Sequence, residues 1–166
     1  QIMRNLYIII LLCLSSSAFS QFYVKEIGVR GGYTAGFSFR INLEETLSYE
    51  AQVSYRDRGT ILAMIRLKHL EIGMNRHGNW DFLYGYGAHA GFYFTDSYRI
   101  LFRPVYYGRD MFTPVLGANG YLGVEYRLVD APVSFGVNFQ PYMELSLKQL
   151  FGINLWDLGV NVKYRF

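Results

Sequence analysis

The chain has 166 residues, with 16 Lys and Arg against 13 Asp and Glu, a single cysteine, and a surplus of 15 Tyr, 13 Phe and 17 Gly. A net charge of +3 gives no pointer to nucleic acid, and no such partner is expected, while one cysteine excludes a disulfide framework or a cysteine metal site. No apolar stretch reaches the roughly 20 residues that a spanning helix needs, so the abundance of aromatics and glycines with only 4 prolines points to β-structure at a lipid interface.

Gln1 and Ile2 precede Met3, which reads as the initiator. Arg4 then supplies a positive charge, Leu6 to Leu14 an apolar run, and Ser15 to Ser20 a small-residue stretch ending Ala18-Phe19-Ser20. This layout predicts a cleavable signal peptide over residues 1–20 and a mature chain over 21–166, exported to a cell envelope. Cys13 falls inside the apolar run, and the bulky Leu12 before it argues against lipid attachment there.

Past Ile27 the chain falls into a two-residue rhythm, and successive side chains of a strand face opposite ways. Strand one places Ile27, Val29 and Tyr33 on one face and Arg30 on the other. Strand two places Phe37, Phe39, Ile41 and Leu43 opposite Ser38, Arg40 and Asn42. A polar turn at 42–46 leads to strand three, where Leu47, Tyr49, Ala51, Val53 and Tyr55 alternate with Ser48, Glu50, Gln52, Ser54 and Arg56. Strand four, 60–75, is irregular: Leu70, Ile72 and Met74 share parity with Arg66 and Lys68. Either a β-bulge near 67–69 shifts the phase, or the two cations stand on the oily row and reach lipid headgroups, the reading we prefer.

After a turn at 76–79, strand five runs from Trp80 to Phe94 with Asp81 and His89 on the polar row. A long connection is predicted over 96–115. Strand six follows with Glu125 and Arg127 inward, then a turn at Asp130-Ala131-Pro132. Strand seven comes next with Glu144 on its polar row, then a modest loop at 146–153 and a final strand from Trp156 to Phe166. That last strand sorts Trp156, Leu158, Val160, Val162, Tyr164 and Phe166 from Asp157, Asn161, Lys163 and Arg165. The fold expected is all-β: an eight-stranded antiparallel up-and-down barrel that crosses a membrane, oily outside and polar within, with short turns on the side of both termini.

Leu47-Ser48-Tyr49-Glu50-Ala51-Gln52-Val53-Ser54-Tyr55, Tyr84-Gly85-Tyr86-Gly87-Ala88-His89-Ala90-Gly91 and the closing Val162-Lys163-Tyr164-Arg165-Phe166 resemble the small outer-membrane β-barrel domain proteins of Bacteroidota, of OmpX/OmpA type. The resemblance implies an integral outer-membrane location with both barrel termini periplasmic, contact with lipid and lipopolysaccharide, and a structural or accessory role in the envelope. It also implies that the barrel assembly machinery recognises the row from Trp156 to Phe166. On this reading the chain departs from OmpA-type proteins in ending at strand eight without a peptidoglycan-binding domain.

The inward rows collect Arg30, Arg40, Glu50, Glu71, Asp81, Glu125, Arg127, Glu144, Asp157, Lys163 and Arg165. Buried charges persist only when paired, so these predict a ladder of ion pairs that plugs the lumen rather than an ion path. His69, His77 and His89 lack the spacing of a chelate, so no metal or other cofactor is expected. Small barrels that modify lipid A use a His, a Ser and an acid in one neighbourhood, and no such set is legible here, which favours a non-catalytic protein over an enzyme. The connection 96–115 is the best contact candidate. Tyr98, Arg99, Arg103, Tyr106, Tyr107 and Arg109 suit lipopolysaccharide phosphates or an envelope protein partner, unless strands five and six simply continue through it.

Overall fold

Alternation of apolar and polar residues leaves each segment one oily and one wet face, and in the computed structural model every regular element among the described residues is a strand. The described residues are 25–56, 58–100, 103–146, 152–154 and 157–166, with side chains given outside 95–111 and 152–154. The predicted signal segment and Trp156 lie outside them. In chain order the strands are β1 (Lys25–Gly32), β2 (Ala35–Glu44), β3 (Leu47–Arg56), β4 (Gly59–Asn75), β5 (Gly78–Ile100), β6 (Arg103–Leu128), β7 (Val133–Phe139), β8 (Tyr142–Ser146), β9 (Gly152–Asn154) and β10 (Leu158–Arg165).

These ten segments make eight staves of a closed antiparallel barrel. Each stave pairs with the next along the chain, β10 lies against β7, and β1 closes the ring on β10 with Val29 opposite Val162. β7 and β8 are one stave, because their register on β6 is unbroken: Leu122 faces Phe139 and Asn119 faces Tyr142. Pro141 interrupts that stave, since it has no N–H to give the ladder. The break stays tied on both sides: Gly120 N donates to Pro141 O at 2.8 Å, and Gln140 N to Asp157 O at 2.8 Å.

One end of the barrel gathers both ends of the described chain and three tight turns. Phe166 N donates to Lys25 O, Arg165 N to Pro132 O, Val129 N to His77 O and His69 N to Thr46 O. The strands are also staggered. Following paired residues around the wall, Ile27 leads through Phe39, Ala51, Met64, Ala88, Ala118 and Met143 to Ile153, whereas Ile27 itself pairs with Tyr164, eleven residues beyond Ile153. A stagger of that kind tilts the staves and is what closes a small barrel.

Burial is inverted relative to a protein that folds around an oily core. Phe37, Tyr55, Leu62, Val137, Leu158 and Val160 are all more than half exposed, while Arg40, Glu26, Glu50, Glu125 and Lys163 are almost wholly buried. Inward glycines make room for those large charged side chains: a Cβ on Gly28 would stand 2.5 Å from Lys163 Cγ, and one on Gly159 2.8 Å from the Arg30 guanidinium.

In β4 the preferred placement of Arg66 and Lys68 on the oily row holds, and a phase shift occurs as well, between Glu71 and Gly73 rather than at 67–69, bringing Gly73 opposite Trp80 and Met74 opposite Asn79. Before it, Ile61, Ala63, Ile65 and Leu67 face inward, and Arg66 and Lys68 stand on the outward row. Over 96–100 and 103–115 the second of the two readings holds, with strands five and six continuing in place of a loop. β5 and β6 pair up to Ile100 and Arg103, with one irregularity between Thr95 and Ser97, because the β-branched and aromatic residues there continue the ladder.

Candidate functional site: the charged barrel interior

Arg40 on β2 is the centre of the half nearest the termini. Its Nε donates to Glu50 Oε2 at 2.8 Å, and its Nη1 lies 3.1 Å from both Glu26 Oε2 and Glu125 Oε2, so one guanidinium ties β2 to three other strands. Lys163 Nζ donates to Glu50 Oε2 at 2.7 Å and stands 3.6 Å from Glu125 Oε2. The remaining carboxylate oxygens are also served: Asn42 donates to Glu26, Gln52 to Glu50 and Ser134 to Glu125. Buried charge is tolerated on these terms, with each oxygen paired or hydrogen-bonded.

Arg127 extends this cluster to Asp81, 2.9 Å away, and to His69, whose Nδ1 lies 2.7 Å from Arg127 Nη2. A guanidinium only donates, so Nδ1 is the bare acceptor and the ring proton sits on Nε2, which donates to Ser48 Oγ at 2.6 Å. A nucleophilic Ser–His pair needs the opposite polarity, with the ring accepting from the hydroxyl and an acid behind it. Here a cation stands behind the ring.

Two smaller clusters occupy the half away from the termini. Arg30 pairs with Asp157 at 2.9 Å and donates to Asn138 Oδ1 and Thr34 O, while Thr34 Oγ1 donates to Asp157 Oδ2. Arg56 pairs with Glu144, donates through Nε to Tyr93 OH at 2.7 Å, and lies 3.5 Å over the Tyr142 ring. Glu144 Oε1 also accepts from Tyr93 OH at 2.8 Å and from His89 Nε2 at 3.0 Å, and His89 Nδ1 contacts Asn119.

Of the residues expected in the interior, Arg30, Arg40, Glu50, Asp81, Glu125, Arg127, Glu144, Asp157 and Lys163 come together in these three clusters. Glu71 does not: it is exposed beside the β4 bulge, opposite Asp81 in register, and joins none of the ion pairs among the described residues. Arg165 sits at the terminal rim and donates to Leu128 O and Ala131 O, fastening the β6–β7 turn.

The interior is not one continuous ladder either. Ile65, Leu67, Leu83 and Tyr121 form an apolar wall beside the first cluster, and Ile61, Tyr93 and Val115 one beside the Arg56 cluster. Sequence reasoning missed Glu26, whose parity with Arg30 was the available signal, since the strand begins two residues before Ile27. It also missed that Arg56, His69 and His89 take part, because their partners come from other strands. Tyr98, Arg99, Arg103, Tyr106, Tyr107 and Arg109 lie on the paired ribbon of β5 and β6.

Among the described residues no three His, Cys, Asp or Glu side chains are grouped to hold a metal ion. No family model matches the chain, and no similar protein was found among the curated proteins or the solved structures.

Proposed function

We propose that the protein is a non-catalytic integral outer-membrane β-barrel with a structural or accessory role in the envelope, its interior plugged by ion pairs and both ends of the barrel chain periplasmic. One observation carries the reading: a closed sheet with its apolar residues exposed outward and its charged residues buried. In water such a surface is a severe liability, whereas in a bilayer it is the stable arrangement. The signal-like N-terminus read from the sequence supports export. The reversed polarity of the Ser48–His69 contact supports a role without acyl-transfer chemistry.

Extraction from outer-membrane fractions, with faster gel migration before boiling than after, is the expected behaviour. Recovery as a soluble periplasmic protein overturns the reading.

A specific feature favours a contact role in addition. Among the described residues the strand pairing of β4 on β5 runs to Tyr93 and that of β8 on β6 to Val115, whereas β5 and β6 pair with each other on to Ile100 and Arg103. At about 3.4 Å per residue this ribbon projects roughly 20 Å from the end opposite the termini. It carries Tyr98, Arg99, Arg103, Tyr106, Tyr107 and Arg109, residue types that suit a lipopolysaccharide or protein partner. Photo-crosslinking from position 106 in intact cells should give a specific adduct, and its absence together with an unaltered envelope after removal of the ribbon disposes of this role.

A further inference from the structure

Among the described residues the outward face of the barrel wall between its rims is apolar with one marked exception. Along β4 its outward row reads Leu62, Met64, Arg66, Lys68 and Leu70, so two cations interrupt an oily row with apolar neighbours on both sides. The register sets Tyr49 and Tyr86 directly across from Arg66, and Leu47 and Tyr84 directly across from Lys68. Arg66 Nη1 donates to Tyr86 OH at 3.3 Å, which uses one of five guanidinium N–H groups. The carboxylates of the neighbouring strands, Glu50 and Asp81, face inward and are spent on Arg40, Lys163 and Arg127. Neither Arg66 nor Lys68 has a carboxylate partner among the described residues.

The position along the wall selects the occupant. Lys68 faces Leu47, the first residue of β3, and the next amide along, His69 N, donates to Thr46 O in the β2–β3 turn. The two cations therefore sit beside the rim that carries the termini, within snorkelling reach of it. On a bilayer-facing surface an unpaired cation is unfavourable, and the anion available at that depth is the phosphate of a lipid headgroup. Arginine forks onto phosphate oxygens, lysine adds a point charge, and the two tyrosine hydroxyls supply further donors.

We infer that Arg66, Lys68, Tyr49 and Tyr86 form a binding site for the headgroup phosphate of an anionic phospholipid in the leaflet on the side of the termini. The apolar strip of Met64 and Leu62 above them receives an acyl chain. The inference rests on the outer-membrane reading and names the lipid chemistry of one patch of that wall.

The test uses the full mature barrel reconstituted in bilayers of phosphatidylethanolamine with a minor fraction of phosphatidylglycerol, followed by native mass spectrometry of lipid retained on the ejected protein. Wild type should enrich phosphatidylglycerol at least five-fold over its bulk fraction, and the double substitution Arg66→Gln with Lys68→Gln should abolish the enrichment. Tyr86→Phe should lower it partly, while Arg58→Gln, at the opposite rim, should leave it intact. Equal retention of phosphatidylglycerol by wild type and the double variant, with both inserted and heat-modifiable, overturns the lipid site and leaves the outer-membrane reading standing. Specific retention of a second protein chain in place of lipid overturns the lipid assignment too. Failure of wild type to insert overturns both.

Discussion

Arg40 shows how much a single side chain holds together in a barrel of this width. It is fully buried and is shared by Glu26, Glu50 and Glu125 from three different strands, so truncating it leaves carboxylates in the interior that Lys163 alone cannot neutralise. Breaking a buried pair by removal of one partner costs about 3–5 kcal/mol. Arg40→Met is therefore expected to lower the unfolding free energy of the folded barrel in detergent by about that amount, measured as a shift of the urea midpoint. A loss under about 1 kcal/mol would show that the carboxylates find water or each other's protons instead. Lysine at the same position is not an equivalent, because an ammonium has no fork to span three acids. A second residue-scale expectation concerns space. A Cβ on Gly117 would stand 2.2 Å from Met143 O on the paired strand and 2.5 Å from His89 Cε1, so Gly117→Ala must shift the β6–β8 ladder as well as push the ring away from Glu144. Chemical shifts of the His89 ring in labelled protein should move, while those of His69, held in the other cluster, stay in place.

At the scale of elements the odd-even sorting was readable because a strand's period is two and cannot be mistaken over eight or more residues. β3, β5 below Phe94, β6 past Leu122 and β10 follow from it directly, as do the three turns at the end that carries the termini. What was not readable has a physical cause in each case. The β4 bulge at Ile72 is decided by how β4 meets β5, and Gly73 beside it was the one local signal. The ribbon at 96–115 looked like a loop because its register slips between Thr95 and Ser97 and because Pro104 and Pro114 interrupt its alternation, though prolines are tolerated at strand edges and bulges. The three charge clusters were legible as a set of inward residues and not as partners, since pairing across the lumen depends on stagger, which no single strand encodes. This division yields a prediction of its own. Closure of the barrel needs nothing beyond the Gly59–Tyr93 and Val115–Ser146 pairings, so replacing residues 96–110 by a short Asn-Gly turn should leave β-content and heat-modifiable migration unchanged. Loss of the folded band on the gel would mean that the ribbon takes part in folding.

Taken whole, the molecule offers a test that separates water from lipid as its solvent. Val160 is 59% exposed, flanked on the outward row by Leu158 and Val162 and set across from Gly31 and Val137 on the adjoining staves. If that face met water, Val160→Arg would change stability by no more than about 0.5 kcal/mol, as surface substitutions do. If it meets hydrocarbon near the middle of a bilayer, the same change costs about 2–4 kcal/mol. The reciprocal change on the inner row, Asn161→Ala, removes a polar group from the lumen and should be far milder than Val160→Arg. The ordering of these two variants, read from reversible unfolding in lipid, thus inverts between the two solvents. The same architecture bears on transport. Arg30, Arg40, Arg56, Arg127 and Lys163 are each held by carboxylates inside a ring of eight staves, so opening a path would require breaking several buried ion pairs at once. Planar bilayers containing the protein should accordingly conduct no more than protein-free bilayers. Discrete openings in wild type that vanish in Arg40→Met would instead make the central guanidinium part of a gate and overturn the plugged interior.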